Sequence, residues 1–228
     1  LASLGVKIFY EHDKENISNC SVVVISSAIG QDNIELAFAK QLGIPTVSRA
    51  EMLAELMRMK LNIVVAGSHG KTTTTSLVAS IAEVGNLDPT VINGGVIKAY
   101  GSNARLGEGE WMVVEADESD GSFNKLPATV AIVTNIDREH IDYYSSFLNL
   151  KRAFERFISS VPFYGVAICC IDDKNVANVI SNVKDRKIIT YGFSEKADFT
   201  IRNLRVGEEG TRFDLDDKVA NIYLRDFY

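Results

Sequence analysis

The stretch that decides the fold is VVAGSHGKTTTT, which occupies residues 64–75. An apolar strand runs into a turn bracketed by Gly67 and Gly70, and a run of threonines then opens a helix. Backbone N–H groups of such a turn and of the helix N-terminus bind phosphate. A lysine at this place neutralises the β- and γ-phosphates, and the hydroxyl that follows it binds magnesium. Lys71 and Thr72 are therefore predicted to hold a nucleoside triphosphate and its metal ion.

The spacing inside this loop is unusual. The common phosphate loop has four residues between its two glycines, whereas only Ser68 and His69 stand between Gly67 and Gly70. A strand before the loop and a helix after it are the context that identifies a phosphate site. The residues predicted to bind the nucleotide are Gly67, Ser68, His69, Gly70, Lys71, Thr72 and Thr73.

The composition is that of a soluble globular protein. Of the 228 residues, 46% are hydrophobic and 24% are charged, which is ordinary for this class. The net charge of −6 and the few basic clusters argue against nucleic acid as a main partner. No apolar run is long enough to span a bilayer, and no N-terminal signal layout is present. The three cysteines, two of them adjacent at Cys169 and Cys170, predict core residues in a reducing, cytoplasmic setting.

The first 60 residues are predicted to form part of a small parallel α/β domain. Strand-like and helix-like segments alternate there, and Gly43 ends the first helix. The predicted strands are 6–9, 21–27 and 44–47, and the predicted helices are 32–42 and 51–59. Such alternation is typical of a parallel sheet that is covered by helices.

A second unit, residues 61–228, is predicted to be an ATP-binding domain with a mainly parallel sheet. Its strand candidates are near-continuous apolar runs, as in strands buried on both faces. They are 61–66, 111–116, 129–134, 166–171 and 187–191, with helices at 72–84 and 146–161. After Phe199 the pattern changes to short alternating segments, which predicts antiparallel hairpins. The predicted fold class is α/β, with a partial Rossmann-like domain followed by a P-loop domain.

An acidic run follows one of these strands. It reads EADESD at residues 115–120 and stands at the carboxyl end of a predicted parallel strand, where α/β sheets bind ligands. A solvated turn is the ordinary interpretation of such a run, but this strand directs Glu115 to the same sheet edge as the phosphate loop. Glu115 is therefore predicted to bind metal or phosphate. For Asp117, Glu118 and Asp120 the pattern does not separate a ligand from a supporting residue.

The residues alone do not decide the role of two further parts of the chain. His140, in the sequence NIDREH at residues 135–140, again follows a sheet strand, so it either reaches the same pocket or has a structural role. A neutral imidazole is an unusual ligand for magnesium, which prefers oxygen. Residues 93–95 and 101–107 form a glycine- and amide-rich connection, which is either a plain loop or a contact for an anionic substrate.

Together these motifs resemble the Mur ligase family, the ATP-dependent amino-acid ligases of peptidoglycan synthesis. The short loop at 67–73 has that family's form of the phosphate motif. The sequences at 103–107, 115–120 and 134–136 are most similar to the branch that joins L-alanine to UDP-N-acetylmuramate. The resemblance covers essentially the whole chain. It implies ATP and Mg²⁺ as cofactors, UDP-N-acetylmuramate and L-alanine as substrates, and a cytoplasmic location.

The resemblance also assigns roles to individual residues. It implies catalytic roles for Lys71, Glu115 and His140. It implies a magnesium site formed by Thr72, Glu115 and His140. Contacts with the substrate are predicted at His12, Ser26, Ser27, Asn103 and Arg105.

The sequence departs from the family pattern at two places. Position 139 is glutamate, where the family more often has aspartate before the histidine. Several relatives carry a carbamylated lysine downstream of this histidine, which holds a second metal ion. The nearest lysine here is Lys151 and the aligned site is Glu155, so this modification is not predicted.

The resemblance implies a three-domain enzyme, of which this chain holds part of the first domain and most of the second. A glycine-rich turn is expected before Leu1, and an adenine-contacting segment and a third domain are expected after Tyr228. Three alternatives stay open. They are a ligase that attaches a recycled tripeptide to the same UDP-sugar, a folate polyglutamylating ligase with a similar loop, and a nucleotide-binding module without turnover.

Overall fold

The computed structural model describes residues 2, 5–26, 28–97, 100–207 and 210–217. The chain divides into two compact units, Leu1–Leu56 and Met57–Tyr228. The assignment of a substrate domain to residues 1–60 and of an ATP-binding domain to residues 61–228 stays a prediction.

The first unit is a small parallel α/β arrangement. Its elements are a 3₁₀ turn (Lys14–Ile17), β1 (Val23–Ile25), α1 (Ile34–Leu42), β2 (Thr46–Ser48) and α2 (Arg49–Met57), whose last residue belongs to the second unit. Strands β1 and β2 pair in parallel. Helix α1 begins where the side chain of Asn33 accepts the N–H groups of Glu35 and Leu36. It ends at Gly43, whose left-handed conformation (φ 68°) is the usual end of a helix.

The predicted strand at residues 6–9 is wrong. These residues form no strand within the described part of the chain, and Val6, Ile8 and Phe9 are about half exposed. Apolar alternation alone does not make a strand, because a strand needs a neighbour that pairs with its backbone N–H and C=O groups.

The second unit is built on one large sheet. Its strands are β3 (Leu61–Ala66), β4 (Thr90–Ile97), β5 (Ser102–Arg105), β6 (Trp111–Glu115), β7 (Val130–Val133), β8 (Val166–Cys170), β9 (Ile188–Gly192), β10 (Phe199–Gly207) and β11 (Gly210–Asp217). Its helices are α3 (Lys71–Val84), α4 (Ile141–Tyr144), α5 (Phe147–Ser159) and α6 (Lys174–Ile180), with a 3₁₀ turn at Ser122–Lys125.

The order of the strands places β3 near the centre of the sheet. Among the described residues the order is β11-β10-β9-β8-β7-β3-β6-β4-β5. All neighbouring pairs between β10 and β4 in this order are parallel, whereas the two outer pairs, β4 with β5 and β10 with β11, are antiparallel. The carboxyl ends of β3, β6 and β7 therefore meet at one edge of the sheet, where the predicted site residues follow each strand.

Buried apolar residues hold this edge in place. Val65, Val114 and Val133, near the ends of the three central strands, are fully buried. Phe123, in the 3₁₀ turn after the acidic run, packs against Phe154 and Phe157 of α5, with ring centroids 5.1 Å and 5.3 Å away. This cluster anchors the acidic run between β6 and the turn, since aromatic packing of this kind is a large part of core stability.

The predicted fold class is confirmed, and so are the five strands predicted for the second unit, to within one residue at each end. The antiparallel hairpin after Phe199 is also confirmed. The sequence analysis missed β4, β5, α4 and α6. Strand β4 contains Gly94 and Gly95, which weaken a strand pattern. Helix α6 is short, and its sequence signal is the Asp173 side chain that caps its first N–H groups.

The cysteines agree with the predicted core role only in part. All three are free, Cys169 is fully buried, and Cys20 is exposed. Burial raises the pKa of the Cys169 thiol to about 12, so this thiol stays protonated at neutral pH. Among the described residues, no helix is both long enough and apolar enough to cross a membrane.

Candidate functional site

The loop between β3 and α3 requires glycine at both of its ends. Gly67 has a φ of 142° and Gly70 has a φ of 78°, conformations that other residues rarely adopt. A Cβ atom on Gly67 would overlap the hydroxyl of Thr134 and would lie 3.1 Å from the backbone nitrogen of Asn135. The loop therefore packs directly against the segment that follows β7.

That segment fixes the loop through hydrogen bonds. The N–H of Ser68 donates to the Asn135 carbonyl (3.0 Å), and the N–H of His69 donates to Asn135 Oδ1 (2.8 Å). The Thr134 hydroxyl donates to the His69 carbonyl (2.8 Å), and the N–H of Asp137 donates to Ser68 Oγ (2.8 Å). The sequence analysis noted Thr134 and Asn135 only as part of a family motif. The structure shows that they hold the shape of the loop.

A cation and free backbone N–H groups meet at the start of α3. The helix begins at Lys71, and the first N–H groups of a helix have no acceptor within it, so they are available to an anion. The Lys71 ammonium donates to the carbonyls of Gly67 (2.7 Å) and Ser68 (3.3 Å). The predicted phosphate loop thus has both of the features that bind phosphate, the helix N-terminus and the lysine.

Glu115 and Thr72 form a group of oxygen ligands beside the loop. The Thr72 hydroxyl donates to Glu115 Oε1 (2.9 Å), and the N–H of Gly94 donates to Glu115 Oε2 (2.6 Å). Carboxylate and hydroxyl oxygens are hard ligands of the kind that Mg²⁺ prefers. The chemistry of these two residues therefore fits a magnesium ion, and this role stays a prediction.

His140 meets a different carboxylate. Its Nε2 lies 3.6 Å from Oε1 of Glu118, and Glu139 completes a group whose ligand atoms lie within 4.8 Å of one another. The same Glu118 carboxylate lies against Lys71, whose Nζ is 3.0 Å from Oε1 and 2.8 Å from Oε2. The structure thus brings Thr72 and Glu115 together, and His140 together with Glu118. A magnesium site that contains all of Thr72, Glu115 and His140 stays a prediction.

The His140 side of the site is held by local structure. His140 has a left-handed backbone (φ 55°) at the start of α4, a conformation that costs energy for a residue other than glycine. Tyr144, at the end of α4, donates its hydroxyl to the Glu118 carbonyl. Burial raises the pKa of Tyr144, so its hydroxyl keeps the proton that it donates. Nearby, the Arg138 backbone N–H and then the His69 ring hold the pKa of Asp137 below its usual value.

Family models match both parts of the chain. The model described as "Mur ligase middle domain" matches residues 65–224, and the model described as "Mur ligase family, catalytic domain" matches residues 1–61. The chain belongs to the Mur ligase family. The resemblance inferred from the sequence motifs is confirmed.

Individual Mur ligases are similar over nearly the whole chain. A protein of Roseobacter denitrificans named UDP-N-acetylmuramate–L-alanine ligase is 56% identical over 215 residues, which are 94% of this chain and 46% of that protein. A solved UDP-N-acetylmuramate–alanine ligase from Thermotoga maritima has a TM-score of 0.79 at 25% identity and covers 98% of this chain and 50% of its own. A solved UDP-N-acetylmuramate:L-alanyl-γ-D-glutamyl-meso-diaminopimelate ligase from Neisseria meningitidis has a TM-score of 0.82 at 22% identity. The match covers 95% of this chain and 71% of that structure's chain. This chain spans about half the length of the curated relatives that it matches.

His12, Ser26 and Ser27, which are predicted to contact the substrate, belong to the first unit, whereas the phosphate loop belongs to the second. His12 Nδ1 is 2.6 Å from Glu35 Oε2, and Ser26 Oγ accepts the N–H of Ala28. Ser27 lies outside the described residues. A contact of these residues with a Mur ligase substrate stays a prediction.

Arg105 has a structural contact that the sequence did not indicate. It lies opposite Val91, near the amino end of β4, whereas the phosphate loop follows the carboxyl end of β3. Its guanidinium donates to Asp88 Oδ1 (2.6 Å) and lies 5.3 Å from the ring centroid of Tyr100. The structure therefore does not bring Arg105 to the loop. Asn103 is exposed on the same strand, and substrate contacts of both residues stay predictions.

Lys151 and Glu155 stand near the sequence position at which some Mur ligases carry a carbamylated lysine, and both have contacts of their own. The Nζ of Lys151 lies 4.9 Å from the ring centroid of Phe147, as in a cation–π pair. Glu155 accepts a hydrogen bond from Asn182 of the segment after α6 (3.4 Å). The absence of this modification stays a prediction.

Gly94 is a position where one methyl group is expected to disturb the Mur ligase site. A Cβ atom there would lie 2.8 Å from Glu115 Oε1, which is closer than real Cβ atoms come. Gly94→Ala should therefore push the Glu115 carboxylate away from Thr72. We expect about tenfold more Mg²⁺ to be needed for half-maximal binding of a fluorescent ATP analogue, a loss of about 1.4 kcal/mol. Gly207→Ala, whose Cβ would meet nothing nearer than 4.0 Å, is the control. Equal Mg²⁺ requirements in the two variants would contradict this role of Gly94.

Proposed function

We propose that this chain binds ATP for a ligase that joins L-alanine to UDP-N-acetylmuramate in peptidoglycan synthesis. The observation that carries the proposal is the meeting of Lys71, the α3 N-terminus and the Thr72–Glu115 pair at one sheet edge. The 56% identity to proteins named UDP-N-acetylmuramate–L-alanine ligase supports the choice of substrates. Because the chain spans about half of those proteins, we assign ATP binding to this chain and the complete reaction to a protein of their length.

The proposed reaction has two steps. An oxygen of the lactyl carboxylate attacks the γ-phosphorus of ATP, so that an acyl phosphate forms and ADP leaves. The amine of L-alanine then attacks the acyl carbon, the amide bond forms, and inorganic phosphate leaves with the electron pair of the broken C–O bond. The proton lost by the amine passes to solvent or to a base of the site.

The residues of this chain supply position and charge rather than covalent chemistry, as is usual in phosphoryl transfer. Lys71 and the first N–H groups of α3 would bind the β- and γ-phosphates. Thr72 and Glu115 would hold Mg²⁺, and His140 is proposed as a further ligand. The ion, when bound, would neutralise charge on the phosphate oxygens. The site is proposed to work in the cytoplasm, where ATP is available.

The acceptor is the part of the proposal that the fold does not decide. The solved alanine ligase and the solved tripeptide ligase have similar TM-scores to this chain, 0.79 and 0.82. The identity to the named alanine ligases is much higher than the identity to either solved structure. We therefore favour L-alanine over a tripeptide as the acceptor.

The test is an acceptor comparison in a protein of full family length that contains this chain. ADP formation is measured with UDP-N-acetylmuramate and either L-alanine or the tripeptide L-alanyl-γ-D-glutamyl-meso-diaminopimelate. We expect turnover with L-alanine at least about 100-fold above that with the tripeptide, a difference of about 2.7 kcal/mol. Preference for the tripeptide would establish the recycling alternative. Turnover of a folate with glutamate, and none with UDP-N-acetylmuramate, would establish the folate alternative.

A further inference from the structure

Glu118 is the most deeply buried charged group of the candidate site. Its side chain is 1% exposed, and its carboxylate lies between the Lys71 ammonium and the His140 ring. Its backbone carbonyl accepts the Tyr144 hydroxyl. Contacts of both the backbone and the carboxylate therefore hold Glu118 beside Lys71.

The Lys71 ammonium is consequently surrounded by groups of the protein itself. Its three N–H donors face the carbonyls of Gly67 and Ser68 and the carboxylate of Glu118. The carboxylate at about 3 Å offsets the positive charge that the loop would otherwise offer to phosphates. It also places a fixed negative charge in a buried environment, where the repulsion of a polyphosphate is weakly screened.

We propose that Glu118 makes nucleotide binding at this loop depend on a divalent cation. A metal-free nucleotide brings about four negative charges toward a cation that Glu118 has already neutralised. Thr72 and Glu115 would hold Mg²⁺ that binds with the nucleotide, and the charge of the ion would offset both the phosphates and the Glu118 carboxylate. Glu118 thus acts as a positioning and selectivity residue that favours the magnesium complex over the free nucleotide. This inference rests on the proposed function, since it requires a nucleotide at the loop.

The test compares two binding constants in the same chain. AMP-PNP is titrated into the 228-residue protein by calorimetry, once with excess Mg²⁺ and once with EDTA. In Glu118→Gln the shape and a hydrogen-bond acceptor for Lys71 remain while the charge is lost. We expect the Kd for metal-free AMP-PNP to fall at least about tenfold and the Kd for the magnesium complex to change less than about threefold. The preference for the magnesium complex therefore falls in this variant.

Two controls separate this effect from a general change of charge. Asp120→Asn removes one charge from the same acidic run at an exposed position, and it should keep the wild-type preference. Glu118→Asp retains the negative charge, so it should also keep most of the preference for the magnesium complex. If Glu118→Gln does not fold, as judged by circular dichroism, Glu118→Ser is the second uncharged variant and decides the question in the same way.

The outcomes distinguish this inference from the proposed function. If wild-type protein binds neither form of AMP-PNP, the proposed function fails. If it binds the magnesium complex but Glu118→Gln keeps the wild-type preference, the inference alone fails. Weaker binding of the magnesium complex, with metal-free binding unchanged, would show Glu118 to be a metal ligand and would also overturn the inference.

Discussion

Gly67→Ala is expected to weaken the binding of an ATP analogue at least about 100-fold, a loss of about 2.7 kcal/mol. The residue has a φ of 142°, and a methyl group there would overlap the Thr134 hydroxyl. The loop must then move away from the segment after β7, and its hydrogen bonds to Asn135 are lost. The N–H groups that converge on a phosphate lose their common direction, so the anion site is lost with them.

The same substitution should also lower the free energy of unfolding, by about 3 kcal/mol, because strain and overpacking add. Urea unfolding followed by circular dichroism measures this change, and calorimetry measures the binding. Gly85→Ala is the matched control, since its Cβ would meet nothing nearer than 3.4 Å at the other end of α3. Wild-type affinity in Gly67→Ala would show that the loop does not have the role given to it here.

Lys71→Met is expected to affect both binding and stability. The ammonium lies against the phosphate loop and donates to two of its carbonyls, so its loss should weaken Mg²⁺–nucleotide binding about 100-fold. In the full-length protein, ADP formation should fall below detection. The substitution also leaves the buried Glu118 carboxylate without its partner, which costs about 3–5 kcal/mol of stability in comparable buried pairs.

The double variant Lys71→Met/Glu118→Gln separates the two effects. It should regain most of the lost stability, because no buried charge is left unpaired, while nucleotide binding stays weak. Lys174→Met, at an exposed lysine of α6, is the control and should change neither quantity. If Lys71→Met were as stable as the wild type, the ion pair between Lys71 and Glu118 would not have the strength that its burial indicates.

The fold could be predicted where sequence patterns and packing demand the same structure. The buried strands β3, β6 and β7 are apolar except at Asn62 and Glu115, and α3 begins directly after the glycine-bracketed loop, so strand, turn and helix were all predictable. The strand predicted at 6–9 failed because an alternating pattern does not supply a pairing partner. Strand β4 was missed because Gly94 and Gly95 interrupt its apolar pattern. Its extended conformation depends on backbone pairing with β6, which the sequence does not show.

The sequence indicated which residues belong to the candidate site, but it did not indicate which of their side chains contact each other. The sequence predicted that Lys71 and Glu115 lie at one sheet edge, since each stands at the carboxyl end of a strand of the same sheet. It left His140 between this pocket and a structural role, and only the family resemblance added it to the site. It could not show that His140 meets Glu118, because that contact depends on the left-handed turn at His140 and on the Tyr144 hydroxyl. Glu118 stands three positions after Glu115, past the end of β6, and this was the available signal that the two carboxylates have different partners.

The most direct test of the account is a calorimetric titration of AMP-PNP with Mg²⁺ into this chain, alongside the Lys71→Met variant. We expect saturable binding of one nucleotide per chain in the wild type and at least about 100-fold weaker binding in the variant. A folded wild-type chain that binds no nucleotide, or a Lys71→Met variant that binds it as tightly as the wild type, would contradict the account.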